Sequence, residues 1–199
     1  GRGSGYRPRS RPDATTLTRG REGRRWGLAS PEFPTADASM TPPLVPLAAR
    51  FRFNESLLAT TTDGFSPEDW ARAPEGGGNN AIWILGHLVA SRRFLARRLG
   101  LSIPEETWED GFSMGAKPAD TSTYPSPETL VADLRSLGER IEQRCGELGP
   151  DQAEEPFGSA FPDGSNTVAG GAHFLYFHET YHLGQIGLLR RIHGHPGFA

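Results

Sequence analysis

The chain has 199 residues, with 21 basic against 24 acidic side chains, six histidines and one cysteine, enough for one domain with an apolar core. Residues 1–39 carry eight Arg against Asp13, Glu22, Glu32 and Asp37, which leaves 13 basic and 20 acidic residues from Met40 onward. Such an acidic body argues against nucleic-acid or anionic-membrane partners, which require a basic surface, and the single Cys145 excludes both an intrachain disulfide and a thiolate-rich metal cluster.

No stretch reaches the roughly 20 apolar residues of a spanning helix, and the N-terminus lacks an apolar secretory core, so a soluble, cytoplasmic protein is expected. Residues 1–39 are rich in Gly, Arg, Ser, Thr and Pro without apolar periodicity, the composition of a disordered basic tail. Ser30-Pro31-Glu32-Phe33 resembles a cloning-site linker and Met40 a native start, so residues 1–39 read as a disordered basic tail or an artificial one, with a genuine basic arm as the alternative, and residues 40–199 as the domain.

From about 44 to 62, Leu44, Leu47, Phe51 and Leu58 recur at helical spacing before the stop Asp63-Gly64. Ser66-Pro67-Glu68-Asp69 carries the signature of a short helix bearing Trp70. A second long helix is expected from Asn79 or Asn80 to Gly100, with Ile84, His87, Leu88, Ser91, Phe94 and Leu95 on one stripe. Arg92, Arg93, Arg97 and Arg98 crowd its last turns and read as solvated surface.

Residues 101–127 are broken by four prolines and carry isolated large residues, Trp108, Phe112 and Met114. A connection this long can cross the end of a bundle and join parallel helices. Ser126-Pro127-Glu128 opens a third helix, with Leu130, Leu134, Leu137, Ile141, Cys145 and Leu148 inward, and Gly149-Pro150 ends it. Cys145 is therefore expected to be a buried structural thiol. After a further loop, a fourth helix runs from about Thr167 to His193, closed by Arg190, Arg191 and Gly194. The pattern predicts an all-α protein, a four-helix bundle with a long crossover between helices two and three.

His178 and His182, four apart, share one face of the fourth helix one turn apart, close enough to grip one ion. That face also carries Leu175, Gln185, Ile186 and Leu189. His87 likewise points where core residues point. Burying three imidazoles together is costly unless their lone pairs are satisfied, and a divalent cation satisfies all three at once. Neutral imidazoles leave the ion's charge undiminished and coordination positions open, so bound water or thiol would be acidified. Zinc and nickel suit such a set.

The segment Asn79-Asn80-Ala81-Ile82-Trp83-Ile84-Leu85-Gly86-His87-Leu88, together with the distant Phe177-His178-Glu179-Thr180-Tyr181-His182-Leu183-Gly184-Gln185-Ile186-Gly187, resembles the DinB-like superfamily over about residues 44–193. The resemblance implies a four-helix bundle in which one metal-binding His from helix two, His87, joins an HxxxH pair from helix four, His178 and His182. It implies a small-molecule substrate and, from the characterised members, a metal-dependent transferase using a low-molecular-weight thiol. It also allows a homodimer.

Two other readings stand beside it. His178-Glu179-Thr180-Tyr181-His182 matches HExxH, in which Glu179 would be the general base of a zinc protease, although no third ligand or aligning sheet follows. Alternatively, the bundle binds a metal or ligand without turning anything over. Glu179 could instead orient a ligating His, bind substrate or solvate the helix edge. His173 falls on another face, while His193 and His195 read as a helix cap and a mobile tail. Gly184 and Gly187, mid-helix at a cost of about 1 kcal/mol each, suggest close approach by a helix or ligand, and Trp70, Trp83, Trp108 and Tyr181 read as filling the core or its ends.

Overall fold

A computed structural model describes residues 43–113, 115–116 and 120–197; the tail expected over 1–39, Met114 and Pro118 lie outside the described residues. The architecture is all-α, and the only β feature among the described residues is an isolated bridge between Pro156 and Thr167. Among the described residues six α-helices follow one another: α1 (Val45–Thr62), α2 (Pro67–Ala71), α3 (Ala81–Arg98), α4 (Pro127–Glu147), α5 (Pro150–Ala153) and α6 (Val168–Ile192). No helix among the described residues is long and apolar enough to cross a membrane.

The starts of these helices are written in their caps. Asn80 accepts the Trp83 amide at 3.0 Å, Ser126 that of Thr129 at 3.3 Å and Thr167 that of Gly170 at 3.2 Å, each satisfying an N–H that the helix itself leaves free. Ser66 and Asp69 close a reciprocal capping box on α2. The chain after Gly149 is not the loop expected there. Pro150, with no N–H to satisfy, opens the single turn of α5.

The four long helices form a ring in which α1 packs on α4 and α6, and α3 packs on the same two. Side-chain pairs give the directions. Arg93 meets Asp133 at 2.7 Å and Arg144 donates to the Leu99 carbonyl at 2.8 Å, so α3 and α4 run parallel. Asn54 donates to Thr180 at 3.2 Å while Arg190 reaches the carbonyl of Thr61, so α1 and α6 are also parallel. Arg92 with Glu179, and His87 with His182, make α3 and α6 antiparallel. The connection between α3 and α4 therefore returns along the length of the bundle, as its length requires.

That return explains one departure from the sequence reading. α3 is buried nearly all round, including Ile82, Leu85, Val89 and Ala96, because a 3-10 helix over Thr107–Phe112 lies against its outer side. Two of the four arginines read as solvated are core residues, Arg92 at 2 % and Arg93 at 7 % exposure. Arg93 binds Glu109 at 2.9 Å, Asp133 and the Pro104 carbonyl, and Arg97 also grips Glu109. Buried charge is tolerable only when paired and hydrogen-bonded, and these pairs fasten the crossover to α3. Arg98 remains on the surface, its guanidinium over the rings of Phe94 and Phe157.

The C-terminal end of α6 is tied down rather than mobile. His193 caps the helix with its ring fully buried, and His195 approaches the Asp69 carboxylate at 3.1 Å and packs beside Phe65. Cys145 is buried as expected, and burial pushes its thiol up to about 11.

Gly184 departs from the reading of close approach, since a side chain there would meet nothing within 4 Å. It lies on the exposed side of α6, which also shows Phe177, Tyr181, Leu188 and Ile192. Gly184→Ala should therefore stabilise the fold by about 1 kcal/mol through helix propensity alone, a rise of about 2–4 °C in Tm for a domain of this size. A fall in Tm would show that something fills that space in solution.

Candidate metal centre

Three ring nitrogens converge between α3 and α6. The Nε2 atoms of His87 and His178 lie 3.0 Å apart and those of His182 and His178 3.1 Å apart. One donor atom from each of the three fits within 4.8 Å of the others, the one such group of His, Cys, Asp and Glu found among the described residues. His178 and His182 are set by the i, i+4 geometry of α6, and His87 reaches them because α3 packs antiparallel against that face.

The partners of the outer nitrogens decide the chemistry of the inner ones. His87 Nδ1 sits 2.6 Å from the Phe112 carbonyl. A carbonyl only accepts, so Nδ1 carries the proton and Nε2 presents a bare lone pair. His182 Nδ1 faces the Gln185 amide oxygen at 2.8 Å, which fixes the same tautomer. His178 Nε2 then stands between two acceptors and can donate to one of them at most. At least one N···N contact lacks a hydrogen, and His178 Nδ1 is itself buried without a partner. Such a cluster is frustrated as three imidazoles and resolved by a cation.

Protonation does not relieve it. Burial lowers the pKa of all three rings. For His178, burial and the neighbouring imidazoles take it down to about 3. The Phe112 carbonyl and Gln185 pull His87 and His182 partly back. At neutral pH the rings are therefore uncharged, the state in which imidazole ligates.

Sequence reasoning found the three histidines and missed what holds them. Trp83 stacks on His87 with centroids 5.1 Å apart and donates its Nε1 hydrogen to the Gly111 carbonyl at 3.1 Å. The Phe112 ring is fully buried against Gly86, where a Cβ would collide with it. Gly86 thus admits the crossover close enough to place its carbonyl on His87. The signal was present in the adjacency of Gly86 and His87, but its partner lies 25 residues away. Trp70 and Trp108 are partly buried against the core, whereas Tyr181 is exposed with its ring edge-on to His182.

Glu179 does not solvate the helix edge, and its hydrogen bonds go to Arg92 rather than to a ring nitrogen of the cluster. It is 3 % exposed, and its two oxygens accept from Arg92 Nε at 2.7 Å and Nη2 at 2.8 Å. Its carboxylate is not among the donor atoms gathered at the cluster. His173 is exposed on another face, and His193 and His195 lie with Asp69 near the far end of α6.

A family model for the DinB superfamily matches residues 50–186. The chain belongs to the DinB superfamily. Comparison with curated proteins gives no match. All three histidines of this DinB-superfamily chain, with Gly86, Phe112 and Gln185, fall inside the matched span.

Two outcomes follow from the geometry. Gly86→Ala gains about 1 kcal/mol of helix propensity but overpacks the Phe112 ring at about 1–3 kcal/mol, so Tm should fall, and affinity for a divalent ion should drop about tenfold as the carbonyl leaves His87. A higher Tm with unchanged affinity would refute that docking. In metal-free protein the folded rings bind protons more weakly than the ordinary imidazole at 6.5, so the unfolded chain takes up more protons below that pH. Stability should be full above about pH 6.5 and decline as pH falls below it. His178→Gln should flatten the decline, and a Tm that rises on acidification would contradict it.

Proposed function

We propose that the protein binds one divalent metal ion through His87, His178 and His182 and acts as a metal-dependent transferase that uses a low-molecular-weight thiol as co-substrate. The observation that carries the metal reading is the convergence of three neutral imidazoles whose protons are committed elsewhere, to Phe112 and Gln185, or cannot serve both neighbours. Zinc or nickel suits an all-imidazole donor set. The thiol reading rests on the likeness to characterised members of the superfamily.

When bound, a divalent ion held by three neutral ligands supplies Lewis acidity that lowers the pKa of a coordinated thiol or water. The chain's own residues do the rest. Phe112 and Gln185 orient two rings and keep their Nε2 lone pairs directed inward. Trp83, itself buried, backs His87 with its ring. Phe174 stacks on the ring of His178, and Tyr181 stands edge-on to that of His182.

The protease alternative requires Glu179 beside the ion as a general base. Held by Arg92 in the core, it is not placed to take a proton from anything at the cluster. Chelator-sensitive proteolysis of unfolded casein is accordingly not expected.

The test is metal affinity and stoichiometry across the six single His→Ala variants. Changing His87, His178 or His182 should weaken binding severely, by a factor on the order of 100 or more, because two imidazoles compete poorly with water and buffer. Changing His173, His193 or His195 should leave it unaltered. Turnover of a small thiol with an electrophilic acceptor should be lost with the metal. Full occupancy in His87→Ala would sink the metal reading, and metal-independent turnover the transferase one.

A further inference from the structure

The guanidinium of Arg92 is bonded at all five of its N–H positions. Nε and Nη2 fork onto the two oxygens of Glu179 on α6 at 2.7 and 2.8 Å. Nη1 donates to Glu55 on α1 at 2.6 Å and to the Leu134 carbonyl on α4 at 2.8 Å, and the second Nη2 hydrogen goes to the Phe51 carbonyl on α1 at 3.0 Å. Gly138 on α4 leaves the room this needs, since a Cβ there would collide with Glu55 and press on Arg92. A planar fork with every donor engaged can neither rotate nor slide without losing bonds.

Its place along the chain connects this knot to the histidines. Arg92 follows His87 by five residues on α3, about 7.5 Å along the axis, and Glu179 is the residue next to His178 on α6. The two helices are antiparallel, so the fork fixes both their axial register and their rotation at the level of the imidazoles. A one-residue slip of α6 against α3 would break both bonds of the fork and carry His178 and His182 away from His87.

Resting on the metal reading above, we propose that Arg92 and Glu179 are positioning residues that set the distance of His87 from His178 and His182. The alternative is that they merely hold the core together. Stability alone does not require them, because buried ion pairs are often replaced by apolar side chains of similar volume without loss. An apolar pair would bury its surface equally well in neighbouring registers, whereas the bidentate fork admits one.

The test is titration of the full-length protein with Co(II), followed by its visible absorption, alongside circular dichroism and Tm. Arg92→Met/Glu179→Leu should remain helical and fold cooperatively, yet bind Co(II) about 10- to 100-fold more weakly with an altered ligand-field spectrum. Glu179→Gln, which keeps shape but puts an amide N–H against a guanidinium N–H, should weaken binding less, and it decides the matter if the double variant does not fold. A folded double variant, or failing that a folded Glu179→Gln, with wild-type affinity and spectrum would overturn the positioning role while leaving the metal site standing. If the wild-type protein itself takes up no Co(II), the metal reading fails and this proposal with it.

Discussion

The fold turns on one buried cation. Arg92 lies at the centre of the ring of long helices and bonds to all three of the others, through Glu179, Glu55 and two backbone carbonyls. An unpaired guanidinium there would be strongly destabilising, while a fully bonded one is tolerated and imposes a single arrangement of its neighbours. The apolar stripes of α1, α3, α4 and α6 supply the driving force for packing, but greasy surfaces allow sliding. The geometry of five directed hydrogen bonds does not.

A second constraint works from the outside. The crossover between α3 and α4 is held by Arg93 and Arg97 on Glu109 and by Trp83 on the Gly111 carbonyl, and it presses Phe112 into the gap left by Gly86. The same residue thus fills the core with its ring and fixes the His87 tautomer with its carbonyl. Register from within and tautomer from without together bring the three Nε2 atoms to one point, two of them as bare lone pairs. Neither device touches the point itself, and each is built from residues chosen for packing as much as for chemistry.

Much of this was legible in the sequence. The four long helices, the cap at Ser126 and the choice of Asn79 or Asn80 for the second, and the parallel pairing implied by the long crossover all follow from local pattern, since period, capping and loop length are short-range properties; the Thr167 cap was not singled out. The three histidines were legible because each interrupts an apolar stripe, His178 and His182 stand four apart, and the segments that carry all three resemble the DinB-like superfamily. What was not legible depends on contacts between distant segments. Arginines in the last turns of a helix read as surface, and only the Glu179 and Glu109 partners, 87 and 16 residues away, turn Arg92 and Arg93 into core. Glu179 was read by its motif as a base or ligand support, when its neighbour in space is Arg92. Gly184 was read as a contact and is open, because a glycine carries no side chain to show which way its helix faces.

The most direct test of the account is X-ray absorption at the metal edge of protein loaded with one equivalent of Zn(II). Three imidazole nitrogens at about 2.0–2.1 Å from a single ion, with a light-atom ligand completing the sphere, is the predicted result. An ion with fewer than three imidazole neighbours, or with carboxylate oxygen in place of one of them, would contradict it.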